Sequence, residues 1–187
     1  QLIWVHIASV GEALSTFPLI KKILGDLPDT SVLITSTTKS SAKLLKNYNE
    51  DRVIHQMSPF DTFFVSNRFL DHWKPDIAFR VESEIWPRIL VEIKKRKVPN
   101  YLFNARFSIK TIERMKNDII SAKYLLSLFD QIHVPEKKTE QFLLELGLNP
   151  DTVLKTGALK DSREALHFDS SLVKEFNQVI GKSNVWL

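Results

Sequence analysis

The sequence predicts an α/β protein in which a parallel sheet carries helices on both faces. Three observations lead there. Apolar stretches of strand length alternate with stretches whose apolar residues recur at helical spacing along most of the chain. The connections have βαβ length, and repeated units of that kind lay their strands parallel. The 187 residues are 43% hydrophobic and 26% charged, an ordinary globular balance that can bury one sizeable core.

The first strand runs over Trp4 to Ala8, and Ser9-Val10-Gly11-Glu12 turns it into a helix marked by Ala13, Leu14, Phe17, Leu19, Ile20 and Ile23. Gly11 allows a backbone or ligand to come close at that turn. Glu12 falls in the first helical turn, beyond the carboxyl end of the strand, where open α/β sheets hold their ligands. Taken by itself, Glu12 also reads as an acid that complements the helix dipole. Pro28-Asp29 is a turn, Ser31 to Thr35 a second strand, and a helix through Ala42, Leu44 and Leu45 follows Ser36-Thr37-Thr38.

Arg52 to Met57 is the third strand, and Pro59-Phe60-Asp61 opens a helix bearing Phe63, Phe64, Val65, Phe69 and Leu70, most of them expected in the core. Asp76 to Val81 is the fourth strand. Glu82-Ser83-Glu84 ends it, and Trp86-Pro87 lies in the first turn of the next helix, where proline is tolerated. Val98 to Phe103 is the fifth strand, and Ser108 caps a helical region to about Phe129 that divides in two. Gln131 to Val134 is the sixth strand, and Pro135 starts a helix stopped at Gly147. Val153 to Thr156 is the seventh, Ser171 to Ile180 a last helix, and Asn184 to Leu187 the opening of another strand. The reading is a Rossmann-like single domain over residues 1–160, with 161–187 leading into a second domain.

If every strand is parallel, the polar clusters at their ends share one rim: Ser9 to Glu12, Thr35 to Thr38, Glu82 to Glu84, Asn104-Ala105-Arg106, and Lys160. Carboxylates, hydroxyls, a guanidinium and an ammonium around one crevice are the makings of a site. Several chemistries drop out. No G-x-G-x-x-G follows the first strand, no P-loop motif occurs, and Ser9 lacks a G-x-S-x-G elbow. The five histidines have no metal-ligand spacing, and His6 and His133 read as structural residues inside strands. There is no cysteine, hence no disulfide or thiolate site. No apolar run approaches the roughly 18 residues of a membrane span, and Gln1-Leu2 entering a strand without a Met suggests a segment of a longer protein. A net charge of +4 and a pI near 9.2 favour anionic partners. The run Lys94-Lys95-Arg96-Lys97 reads as a solvated helix end rather than a nucleic-acid platform, since no aromatics are interleaved with it.

Several stretches occur together and in order: Trp4-x-His6-x-Ala8-Ser9-Val10-Gly11-Glu12, Pro59-x-Asp61, Arg68-Phe69-Leu70, Trp73-x-Pro75, Glu82-x-Glu84-Ile85-Trp86-Pro87, Asn104-Ala105-Arg106-x-Ser108 and Gly157-x-Leu159-Lys160. This combination resembles the N-terminal domain of the 3-deoxy-D-manno-octulosonic acid (Kdo) transferases, over nearly the whole chain. The resemblance implies the N-terminal half of a GT-B glycosyltransferase, with acceptor and catalytic base here and the nucleotide held by a C-terminal domain whose first strand begins near Asn184. It implies inverting transfer from CMP-Kdo to a lipid A precursor without a metal or other cofactor, at the cytoplasmic face of the bacterial inner membrane. Glu12 matches the family's general base, and Glu82 and Lys160 match positions that stabilise the transition state. Ser9 and Gly11 shape the turn at the substrate, and Arg106 is an anion contact or a brace. The chain departs from the family pattern at Ala158, at Asp161-Ser162 and at Arg88. A different GT-B transferase and a non-catalytic anion- or lipid-binding module remain open as alternatives.

Overall fold

The computed structural model describes residues 1–48 and 50–159, so Lys160, the connector, and the expected helix and strand after it lie outside the described residues. The elements are β1 (Leu2–Ile7), α1 (Val10–Asp26), β2 (Ser31–Ser36), α2 (Lys39–Lys46), β3 (Val53–Met57), α3 (Phe63–Trp73) and β4 (Ile77–Val81). They continue with α4 (Pro87–Lys95), β5 (Asn100–Phe103), α5 (Ile109–Asn117), α6 (Ile119–Leu126), β6 (Gln131–Val134), α7 (Lys137–Glu145) and β7 (Val153–Lys155). A 3-10 turn over Pro150–Thr152, not foreseen from the sequence, leads into β7.

Every pairing is parallel, in the order β3-β2-β1-β4-β5-β6-β7. The chain first winds outward from β1 through β2 to β3, then returns to the other side of β1 and winds the opposite way. Right-handed crossovers therefore put α1 and α2 on one face and the later helices on the other. The two-residue alternation of the strands follows suit. Ile3, Val5, Ile7, Val32 and Ile34 pack against Ala13, Ile20 and Leu24 of α1 and Leu45 of α2. Trp4, Leu33 and Ala78 point the other way, against Phe69 and Leu70 of α3 and Ile89 and Ile93 of α4. A third cluster joins Leu102, Ile132 and Val134 to Leu90, Leu126, Phe142 and Leu143. Each such aliphatic side chain, fully buried, contributes about 1.5–3 kcal/mol.

The element edges differ from the sequence reading for local reasons. Pro99 cannot donate to a ladder, and β5 starts after it. Arg52 lies before β3 because its guanidinium collects the carbonyls of Leu24, Leu27 and Pro28 at the end of α1. The helix after Pro135 begins two residues late, at Lys137, with Glu136 as N-cap. Gly147 ends that region at φ 81°, the left-handed conformation expected of a terminating glycine. Helix α3 divides its apolar residues. Phe69 and Leu70 are buried, whereas Phe63, Phe64 and Val65 turn outward, against the expectation that most of them enter the core. The basic run is engaged rather than simply solvated: Lys94 pairs with Asp130, Lys95 with Glu92, and Arg96 with both Glu92 and Asp71, which ties α4 to α3.

Asp61 does not cap the helix it precedes. Its two oxygens accept the Arg88 and Ile89 N–H groups (3.0 and 2.8 Å) at the start of α4, whose own N-cap, Trp86, offers no side-chain acceptor. Removing it in Asp61→Ala should cost about 1–2 kcal/mol, the size of a lost helix cap. Urea unfolding measures this, and an unchanged midpoint would show that α4 needs no cap.

Candidate functional site

Where the winding reverses, β1 lies beside β4, and the crevice beyond their carboxyl ends is the switch point at which open α/β sheets bind ligands. The residues that follow these two strands, Ser9 to Glu12 and Glu82 to Glu84, meet there.

Ser9 is the N-cap of α1. Its hydroxyl accepts the Glu12 N–H (3.2 Å) and donates to Glu12 Oε1 (2.9 Å), while Glu12 Oε2 accepts the Ala8 N–H (2.8 Å). This reciprocal arrangement is a variant of the capping box, readable in the sequence as Ser-x-x-Glu, in which Glu12 reaches back to the N–H of the residue before the cap. Glu12 thus has a structural duty, and each of its oxygens keeps a further lone-pair direction for a ligand proton. Burial pushes its pKa above the ordinary carboxylate value. The Ala8 and Ser9 donors pull against that, and the nearby Glu82 and Glu84 charges push the same way as burial. Gly11 is an exposed helical residue, and a Cβ there would meet only Ser9 Oγ at 3.8 Å. The turn itself therefore does not require a glycine; its bare backbone at the rim remains open to a ligand.

Glu82 takes a left-handed backbone, φ 62°, and so does Asn104 at the end of the neighbouring strand, φ 55°. Each such non-glycine residue costs on the order of 1–3 kcal/mol, and such strain gathers at functional sites. Asn104 Nδ2 reaches Glu82 Oε1 at 3.4 Å, and the Glu82 N–H donates to the Phe103 carbonyl. Arg106 forms an ion pair with Glu136 at the start of α7 (3.4 Å), both side chains reaching solvent. Thr37 donates to the Ala8 carbonyl and Thr38 caps α2.

Two residues prove more involved than the sequence suggested. His6, read as structural, is buried, yet its ring reaches Thr35, Ser58 and, through Nε2, Glu84 Oε2 at 3.2 Å. Glu84 also accepts the Trp86 indole N–H at 2.8 Å. Burial lowers the His6 pKa most, and the Arg80 charge adds to that, while Glu84 opposes both. Burial would raise the Glu84 carboxyl, but its bonds to His6 and Trp86 and the neighbouring charges outweigh burial and leave it below the ordinary range. Beneath them Arg80, 1% exposed, lies with its guanidinium 4.9 Å from the Trp4 ring. None of its three nitrogens has a hydrogen-bond partner among the described residues, and burial pushes its pKa down to about 10. Beside this group opens a cleft of about 480 Å³ lined by Ser36, Thr37, Ser58, Phe60, Asp61 and Trp86. Among the described residues no cluster of His, Asp and Glu could hold a metal ion.

A seven-stranded parallel sheet wound in two directions with helices on both faces is the Rossmann-like architecture of the N-terminal half of GT-B glycosyltransferases. The solved structures it resembles bear out that fold: UDP-GlcNAc 2-epimerase from Neisseria meningitidis superposes with a TM-score of 0.61 at 14% identity, over 98% of this chain and 52% of that one. MurG of Acinetobacter baumannii follows at 0.57 and 10%, over 91% and 47%. The family model for 3-deoxy-D-manno-octulosonic-acid transferase matches residues 1–163, and the chain belongs to that family. It is 35% identical to the 3-deoxy-D-manno-octulosonic acid transferase of Rickettsia bellii, over 88% of this chain and 39% of the relative. It is 30% identical to a probable mitochondrial one of Arabidopsis thaliana, over 100% and 43%. The chain thus spans about two fifths of the length of these relatives.

Burial also depresses the pKa of His55 and His133. An unfolded chain takes up protons on these rings near pH 6.5 while the folded one resists, so stability rises with pH across that window and is lost below it. The urea midpoint should fall between about pH 7.5 and 5.5, and by less in His6→Gln. A midpoint flat across that range would contradict the buried neutral histidines.

Proposed function

We propose that the full-length protein transfers Kdo from CMP-Kdo to a lipid A precursor (lipid IVA), inverting the anomeric carbon, in lipopolysaccharide inner-core synthesis. Residues 1–160 would supply the acceptor side and the base, and 161–187 would lead into the nucleotide-binding domain. The observation that carries this reading is Glu12, a buried carboxylate of raised pKa facing two further carboxylates at the switch point. A carboxylate near its ordinary pKa of about 4.3 is a weak base at neutral pH, and a raised one is better matched to taking a hydroxyl proton.

In the proposed step the acceptor hydroxyl oxygen bonds to the anomeric carbon of Kdo. The bond from that carbon to the phosphate oxygen breaks, CMP departs with the electron pair, and Glu12 receives the hydroxyl proton. Ser9 holds the Glu12 carboxylate in place. Glu82 suits the positive charge that develops on the sugar, and Lys160 suits the donor carboxylate or the departing phosphate. The exposed backbone at Gly11 admits the substrate, and Arg106, half-exposed beside Glu136, would contact an anionic group. No step calls for a metal.

The cleft of hydroxyls, Asp61 and two aromatic residues beside Glu84 suits an acceptor sugar. Next to it Phe60 and Phe64, 80% and 82% exposed, stand with Phe63 and Val65 near Arg68 and Arg88, an arrangement suited to an anionic lipid surface. Peripheral contact with the cytoplasmic face of the inner membrane would follow. Phe64→Ser should weaken sedimentation with phosphatidylglycerol-containing vesicles and leave sedimentation in vesicle-free controls at background. Equal vesicle binding by both proteins would take this patch out of the membrane contact.

The capping bonds of Glu12 favour a second reading, a non-catalytic anion- or lipid-binding domain in which Glu12 only starts a helix. Kdo transfer by the full-length protein separates the two. Glu12→Gln should lower kcat by about 10²–10⁴-fold, the span of general-base catalysis, with the circular dichroism spectrum retained. Turnover equal to wild type would remove Glu12 from the mechanism, and no turnover in either protein would favour the binding domain.

A further inference from the structure

The hydrogen bonds around His6 fix its proton. The Trp4 indole N–H donates to Thr35 Oγ1 at 2.9 Å, which leaves the Thr35 hydroxyl proton to be given elsewhere. His6 Nδ1 lies 2.9 Å from the same oxygen, and the Ser58 hydroxyl is 3.1 Å from the same nitrogen. Either hydroxyl can donate to Nδ1 or accept from it, but the ionised Glu84 carboxylate opposite Nε2 can only accept, which leaves Nδ1 as the acceptor of the ring. In a ring kept neutral by burial, the single N–H is then on Nε2, aimed at Glu84 Oε2. A directed chain thus runs from Trp4 through Thr35 and His6 to Glu84.

At its far end, two donors, His6 Nε2–H and Trp86 Nε1–H, clamp one oxygen of Glu84. The other, Oε1, has no hydrogen-bond partner among the described residues, and the side chain is 18% exposed. The remaining carboxylates of the crevice differ. Both oxygens of Asp61 are spent on the start of α4, and both oxygens of Glu12 already receive a donor. Glu82 has only the long contact from Asn104 to orient it. Glu84 is the carboxylate here that is both rigidly held and free at one oxygen. Such a preorganised acceptor needs no reorganisation when a ligand hydroxyl arrives. Arg80 on β4, level with His6 in the sheet, places a buried positive charge below that favours the ionised form.

We propose that Glu84 is a substrate-contacting carboxylate whose Oε1 accepts a hydrogen bond from a sugar hydroxyl, and that neutral His6 is the positioning residue that aims it. The proposal rests on the transferase reading and adds to it a contact separate from the proton transfer at Glu12. The groups facing the pair are Thr35 from β2, Ser58 from the β3–α3 loop, Arg80 from β4 and Trp86 at the start of α4, with the Asp61 charge close to Arg80.

The test uses the full-length protein and two readouts. In Kdo transfer from CMP-Kdo to lipid IVA, Glu84→Gln should lower kcat/KM by about tenfold or more, the worth of a hydrogen bond to a charged group. His6→Gln, whose amide N–H can stand where Nε2–H stood, should lose less than His6→Asn, which imitates Nδ1. Nitrogen-15 shifts should show His6 at pH 7 as the neutral Nε2–H tautomer. Wild-type kcat/KM in Glu84→Gln, or equal losses in the two His6 variants, would overturn the proposal. So would an imidazolium or an Nδ1–H tautomer. If the wild-type protein transfers no Kdo, the transferase reading fails instead. The tautomer alone then upholds or overturns the positioning by His6.

Discussion

The reversal of winding between β3 and β4 is the constraint on which the rest depends. Crossovers of a single hand can serve both directions only by changing faces, so α1 and α2 cover one side and the later helices the other. The crevice lies where the two windings part. Backbone leaving β1 and backbone leaving β4 open onto that gap side by side. Two segments some 70 residues apart thereby place Glu12, Glu82 and Glu84 within reach of one another's charge.

Three carboxylates and Asp61 around one crevice would repel each other if all were treated alike. The structure separates them by what touches them. Glu12 is buried against a helix start, which favours its protonated form. Glu84 is hydrogen-bonded to His6 and Trp86 and lies near a buried cation, which favours its ionised form. Asp61 is absorbed into a helix cap. Opposite shifts on neighbouring carboxylates allow different chemical duties at one pH. The left-handed backbones at Glu82 and Asn104 add local strain at the same edge.

Much of this was legible in the sequence because it is local. Strand and helix periods gave the parallel α/β fold, and Ser9-Val10-Gly11-Glu12 marked both a helix start and the end of the first strand. What escaped was tertiary. His6 and Glu84 are 78 residues apart, and nothing near either residue announces the other. A histidine within a strand pattern looks like a core residue until the ring it presents is seen to bridge β2 and the loop after β4. Asp61, next to its own helix, read as that helix's opening, while its partners lie 27 and 28 residues on. Phe63 and Phe64 follow the same apolar pattern as the buried Phe69, and only packing against α4 distinguishes the inner from the outer side of α3.

Arg80 stands apart from the logic of a well-packed interior. A fully buried charged group without a hydrogen-bond acceptor among the described residues costs free energy that an apolar side chain of similar volume would not. Selection for stability alone would discard it. Methods that improve proteins by ranking substitutions on folding energy would therefore nominate this position early, and in doing so would remove the positive potential beneath the crevice. In this fold, folding energy and the potential at the crevice pull in opposite directions at residue 80.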